Sequence, residues 1–180
     1  DGGGTALSGP GIKLKVAGAT VQAEYRWVEG RFIPGYFDAL YERNRAVVDP
    51  VTGQVTTREA TLTDLSMRGF FGHAEVSLGP LLQAEASYQY LDTENNGDHR
   101  IQGRASLKQA LLRHLRKVSK AEVYYENHRR GISDYGLFDA TSETRFGYRL
   151  VVEPLPRLSI LWEVQFTYEP DEAGEFQRRR

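Results

Sequence analysis

The stretch Leu158-Ser-Ile-Leu-Trp-Glu-Val-Gln-Phe-Thr-Tyr-Glu169 alternates with a period of two. Its even positions, Leu158, Ile160, Trp162, Val164, Phe166 and Tyr168, are all apolar or aromatic. Its odd positions, Ser159, Leu161, Glu163, Gln165, Thr167 and Glu169, are polar at all but Leu161. Successive side chains of a strand point to opposite faces, whereas a helix groups residues three and four apart. The stretch is therefore a strand with one apolar and one polar face.

Working outward, the same design recurs along the chain. Ile12, Leu14 and Val16 alternate with Lys13 and Lys15, and after Ala17-Gly18-Ala19 the residues Val21, Ala23, Tyr25 and Trp27 alternate with Gln22, Glu24 and Arg26. Phe70, Gly72, Ala74, Val76 and Leu78 oppose Phe71, His73, Glu75 and Ser77. Past Gly79-Pro80, Leu82, Ala84, Ala86, Tyr88 and Tyr90 oppose Gln83, Glu85, Ser87 and Gln89. Ile101, Gly103, Ala105 and Leu107 oppose Gln102, Arg104, Ser106 and Lys108, and Ala121, Val123 and Tyr125 oppose Glu122, Tyr124 and Glu126. Phe146, Tyr148, Leu150 and Val152 oppose Arg145, Gly147 and Arg149, and the turn Pro154-Leu-Pro156 leads into the opening stretch. This reading makes residues 1–11 a flexible lead and residues 12–169 an eight-stranded domain with long loops at 29–64, 92–99 and 130–142. Residues 170–180 are then a polar tail. Within 29–64, Asp49-Pro-Val-Thr-Gly53 is a turn signal between residues 45–48 and 54–58, which read as a small hairpin. Phe32-Ile-Pro-Gly-Tyr-Phe37 reads as an aromatic turn packing on it, while residues 38–44 are consistent with a helical turn. Residues 109–117 read as the end of a strand and a turn, despite some helical propensity.

Eight consecutive strands joined by hairpins predict an all-β, antiparallel up-and-down barrel. Short connections follow strands one, three, five and seven, and long ones follow two, four and six. All short turns therefore lie at one end and all long loops at the other. The aromatic residues Tyr25, Trp27, Tyr88, Tyr90, Tyr125, Phe166 and Tyr168 fall at the long-loop end of their strands. The aliphatic residues Leu14, Val16, Val76, Leu78, Leu82, Leu107, Leu150, Val152 and Leu158 fall toward the turns. A band of Tyr and Trp at one level is what a bilayer interface favours, because the ring is apolar and its polar atom seeks water. Strands of about ten residues, tilted by ~40°, span about 25 Å, the height of a membrane barrel's apolar band. The opposite face carries Glu24, Arg26, Glu75, Glu85, Arg104, Lys108, Glu122, Arg145, Arg149 and Glu163, with both signs mixed. In a barrel this narrow they would face the lumen and pair there. A soluble lipocalin-type barrel binding an apolar ligand has the same alternation with the faces reversed. The one-sided loops, the aromatic belt and the lack of an obvious Gly-x-Trp opening strand favour the membrane form.

The bulk properties agree. The chain of 180 residues is long enough for one domain with a sizeable core. Its 24 acidic and 23 basic side chains leave no basic excess for nucleic acid, and Arg178-Arg179-Arg180 reads as a solvated end. There is no cysteine, which excludes disulfides and thiolate metal sites. No apolar run approaches the ~18 residues of a membrane helix. The opening residues do not read as a signal peptide. A mean hydropathy of −0.50 looks soluble, but half of each barrel strand is polar and the loops are hydrophilic.

Over residues 12–169 this pattern resembles bacterial outer-membrane β-barrel proteins as a class. The resemblance implies a bacterial outer-membrane location, the lipid bilayer as partner together with other barrel or envelope proteins, and a porin-like passive conduit or structural barrel with a charged lumen. It implies no enzymatic activity and no cofactor. Such proteins place both termini on the periplasmic side and end on a strand closing with an aromatic residue. Here strand one runs toward the turn end and strand eight away from it, and Phe176 is followed by Gln-Arg-Arg-Arg. A part of a larger barrel, a rearranged or engineered barrel, and a further strand within 29–64 all remain open as explanations.

Among catalytic candidates His128 stands first, because barrel enzymes need a His with a Ser or acid nearby, and Glu126 and Ser133 are close in sequence. The simpler reading, which the sequence favours, is a strand-end histidine at a wet rim. His73 beside Glu75 reads as lumen filler. Asp92-x-Glu94-x-Asn96-Gly97 resembles the start of a calcium loop, but the closing acidic position is Gly103, inside a strand, so no metal site is expected.

Overall fold

Alternating side chains, β-branched residues and turns rich in Gly and Pro give long antiparallel strands with almost no helix. In the computed structural model, residues 4–32, 45–49, 51–57, 60, 62–92, 97–115, 117–130, 138–170 and 176–179 are described. The strands are β1 (Gly4–Val16), β2 (Ala19–Gly30), β3 (Ala46–Val48), β4 (Val55–Thr57), β5 (Leu65–Leu78) and β6 (Leu82–Asp92). They continue with β7 (Gly97–Leu107), β8 (Val118–Arg130), β9 (Arg145–Leu155), β10 (Leu158–Pro170) and β11 (Phe176–Arg179). The helix α1 (Gln109–Leu112) follows β7. One sheet has the order β1-β2-β5-β6-β7-β8-β9-β10-β11, with every pair antiparallel. Eight strands are long, and the four-residue β11 pairs only with residues 167–170 of β10. The sheet is not closed: β1 and the lower part of β10 are its free edges.

β3 and β4 form the small hairpin expected beyond the main sheet, and Asp49 organises its turn. The Asp49 carboxylate accepts hydrogen bonds from the Val51 and Thr52 amides at 2.8 and 2.9 Å. Those bonds hold its pKa below the usual carboxylate value. Residues 33–37 of the aromatic turn, residues 38–44 and Ser133 lie outside the described residues, as do residues 93–96 of the calcium-like stretch.

Four expectations need correction. The lead is not loose after Gly4: residues 5–8 pair with residues 26–29. A register shift between Ser8 and Gly11 moves Leu7 onto the same face as Ile12, so the alternation is interrupted in the sequence though continuous in space. The polar tail contains β11, held by pairing to β10. β7 begins at Gly97, so the loop expected over 92–99 is shorter, whereas β5 begins at Leu65, where the loop expected over 29–64 ends. The stretch 109–117 contains a helical turn where a strand end was expected, so the connection after β7 is ten residues long and not the short turn expected there. Leu112 is buried there, and its amide bonds to the Lys108 carbonyl at 3.1 Å.

The buried hydrophobic core is small. Val28, Met67 and Leu91, with Leu65 against them, form one cluster at the long-loop end of β2, β5 and β6. By strand parity they belong to the polar face. Most other large apolar side chains lie on the opposite face and are exposed, Ile12 at 67% and Trp162 at 60% among them.

Candidate functional site

The polar face is built as rungs, because antiparallel register aligns residues of successive strands. One rung runs Ser77, Gln83, Ser106, Glu122, Arg149, Glu163, and the next runs Thr20, Glu75, Glu85, Arg104, Tyr124, Gly147, Gln165. A third runs Lys13, Gln22, His73, Ser87, Gln102, Glu126, Arg145, Thr167. Charges of opposite sign therefore meet across the sheet.

Glu122 is the hub. Its side chain is only 2% exposed, and it accepts Arg149 at 2.9 Å and Lys120 at 3.1 Å, with Arg104 4.0 Å away. Arg149 also reaches Glu163 at 3.0 Å. The Tyr124 hydroxyl donates to Glu163 at 2.9 Å, passing over β9 at Gly147. A Cβ at Gly147 would sit 2.5 Å from that hydroxyl and 2.6 Å from the Val164 carbonyl oxygen, so the position takes no larger residue unless the backbone also shifts. Glu75 and Glu85 stand directly opposite one another. Their repulsion is relieved by Gln83, which donates to Glu75 at 2.9 Å, and by Arg104, 3.3 Å from Glu85. Nearer the loops, Arg145 pairs with Glu126. Arg26 donates to Glu24 at 2.8 Å and to Gln89, and its guanidinium lies 3.8 Å over the Phe71 ring. His73 lines a polar cavity of about 210 Å³ with Phe71, Glu85, Gln102, Arg104 and Tyr124.

Of the ten charged residues expected in the lumen, nine share this face. Lys108 does not join the pairing: it follows β7 at the turn end, and its ammonium donates to the Gly79 carbonyl at 2.9 Å. The sequence reading did not assign the Val28–Met67–Leu91 cluster, because its single apolar residues stand at polar-parity positions beyond the alternating runs. Nor did it anticipate that Leu112 on α1 is buried and lines a cavity near the opposite end of the same face together with Gln83, Ser106 and Glu122.

His128 sits near the loop end of β8, three residues past Tyr125 and at the outer limit of the aromatic band. Glu126 pairs elsewhere, and His128 lies instead between two other acids. Its Nε2 is 2.8 Å from Asp98 on β7, and its Nδ1 lies against Glu143, just ahead of β9. Burial alone would lower the imidazole pKa, but the two carboxylates outweigh it and raise it to about 9. Around it, Thr141 and Thr144 bond to the Asn127 side chain, which itself donates to the Asp139 carbonyl, so the end of the β8–β9 connection is tied to β8. No cluster of three or more His, Asp or Glu among the described residues has the arrangement of a metal site.

The expected aromatic band lies on the apolar face. Tyr25, Trp27, Tyr88, Tyr90, Tyr125, Phe166 and Tyr168 each stand six to ten residues from the turn end of their strands. They pack on one another and on residues the sequence reading left out of the band. Tyr25 meets Trp27 edge-on at 4.5 Å, Phe70 contacts Tyr90 at 5.7 Å, and Phe146 stacks on Phe166 at 6.2 Å. His99 joins through the Tyr88 hydroxyl at 2.8 Å. Phe70 and Phe146 were legible: β5 and β9 run toward the turns, so the loop end of each is its beginning. No described helix is long and apolar enough to cross a membrane, which leaves crossing by strands untouched. No family model matches the chain, and neither a curated protein nor a solved structure is significantly similar to it.

Proposed function

We propose that the chain is a transmembrane β-barrel of the bacterial outer membrane, non-enzymatic, acting as a structural barrel whose lumen is filled by paired charges. One observation carries this reading: many large apolar side chains of the sheet are exposed, while several of its charged side chains are covered. Val16, Val21, Val76, Val123, Ile160 and Trp162 are exposed, while Glu122 is buried and Glu24, Glu126 and Arg145 are largely covered. Water rewards the opposite arrangement, at about 25 cal/mol per Å² of apolar surface hidden. An apolar face of this extent fits a hydrocarbon solvent, and its aromatic band fits the edge of one. The same observation weighs against the soluble ligand-binding barrel, in which the charged face would meet water.

Of the two membrane roles, the rungs favour wall over conduit. The facing charges neutralise one another, and apolar groups close over the polar face toward both ends, Val28, Met67 and Leu91 at one and Leu112 at the other. The bilayer is then the principal partner, and the long loops are the surface left for other barrel or envelope proteins. Refolding tests the reading. The chain is expected to reach its β-rich fold in detergent micelles or lipid vesicles, to stay with the vesicles through an alkaline wash, and to aggregate when detergent is withdrawn. A folded monomer in plain buffer overturns it.

A further inference from the structure

The free edge of β10 has a definite length and definite neighbours. β11 occupies it from Thr167 upward, and among the described residues 158–166 have no strand partner on that side. The other free edge is β1, which runs antiparallel to β10 because six intervening strands reverse direction in turn.

The register fixes how far the two edges are offset. Val16, the last residue of β1, lies on the row Ala19, Val76, Ala84, Ala105, Val123, Tyr148, Val164. That row meets β10 six residues above Leu158, where the strand begins. On the same rows, the β5–β6 turn at Leu78 and Leu82 lies two residues below the β1–β2 turn. From the first hairpin to the last the turns step down by six residues over three steps, two per step on average. A fourth step returns to β1 with a total offset of eight. For eight strands at ~3.3 Å per residue and ~4.8 Å between strands, an offset of eight corresponds to a tilt of about 35°, within the range of closed barrels.

We infer that β1 closes directly onto the β10 edge with a stagger of eight residues, placing Leu14 opposite Leu158 and Ile12 opposite Ile160. This rests on the barrel reading and names the partner of the open edge. Leu14 and Ile12 then continue the apolar face, and Lys13 stands opposite Ser159 on the polar face. Beyond the shift between Ser8 and Gly11, Ser8 comes opposite Glu163, and Thr5 comes opposite Phe166. From Thr5 onward β1 therefore fills the free part of the edge, and Gly4 reaches the Thr167 position where β11 begins.

The natural absence of cysteine makes the test direct. Three double variants are oxidised in micelles: Ile12→Cys with Ile160→Cys, with Leu158→Cys, and with Trp162→Cys. The first is expected to form an intramolecular disulfide in high yield, seen on a non-reducing gel as a mobility shift of the monomer that reductant reverses. The other two are expected to form little. Preferential bonding at Leu158 or Trp162 overturns the stagger. Disulfide-linked dimers from the first pair overturn self-closure and assign the edge to a second copy. If no pair cross-links although each single-cysteine variant folds like the parent, the edge stays open and closure is wrong. A chain that folds as a monomer in plain buffer and still forms the disulfide of the first pair keeps the closure and loses only the membrane.

Discussion

At the scale of single residues, His128 carries the clearest pH dependence. Its imidazole is largely buried between Asp98 and Glu143, with Arg100 opposite it on β7, so it joins three neighbouring strands at the rim. The folded pKa, raised to about 9, exceeds the ordinary value of 6.5. The folded state therefore holds the proton more tightly, and the stabilisation is full below pH ~6.5 and fades as pH rises through about 9. A shift of this size corresponds to roughly 3 kcal/mol at most, and less if rim solvent screens the pair. Comparing urea midpoints in micelles for the parent and His128→Gln is expected to show a gap at pH 6 that closes by pH 10. A gap that persists unchanged across this range would show that His128 acts through packing alone. Sequence could place this histidine at a rim but not between its partners, because Asp98 is 30 residues away along the chain and Glu143 lies across a long connection.

Each strand as an element had to satisfy two environments at once, and that requirement was written in its alternation. Faces, strand count and direction were legible because side-chain parity is a local property. What alternation could not carry was anything that breaks parity. The shift after Ser8 hid the start of β1, the lone Val28, Met67 and Leu91 hid the apolar cap, and Tyr124 crosses to Glu163 only because Gly147 leaves room. The apolar face itself is best tested at Val123, near the middle of β8 and 45% exposed, rather than at Val164. Val164 shares that face but is 7% exposed beneath its neighbours, so a charge there is costly in any solvent. Val123→Arg is expected to cost ~2–4 kcal/mol in lipid vesicles if the residue faces mid-bilayer. An exposed site in water would change by about half a kcal/mol or less. A near-neutral result in vesicles would mean that this face does not lie in hydrocarbon.

For the whole molecule, the decisive quantity is the space left inside the proposed ring of eight strands. The lumen of such a ring is just wide enough for side chains to fill. On the polar face that would line it stand the Glu122–Arg149–Glu163 and Glu85–Arg104 pairs, and Tyr124 reaches across β9 to Glu163. An ion entering would have to part charges that are already neutralised, and in a poorly hydrated interior the pairs gain more from each other than from a passing ion. The parent protein in planar bilayers is therefore expected to show no stepwise channel conductance. The double variant Glu122→Ala with Arg149→Ala removes both members of the central pair, leaving Lys120 without Glu122 and Glu163 held by the Tyr124 hydroxyl. It thins the rung at its most crowded point and is expected to admit a small, measurable ion current while the protein remains folded. Stable large steps from the parent would show that the rungs line an open path, and the role of conduit would replace that of wall.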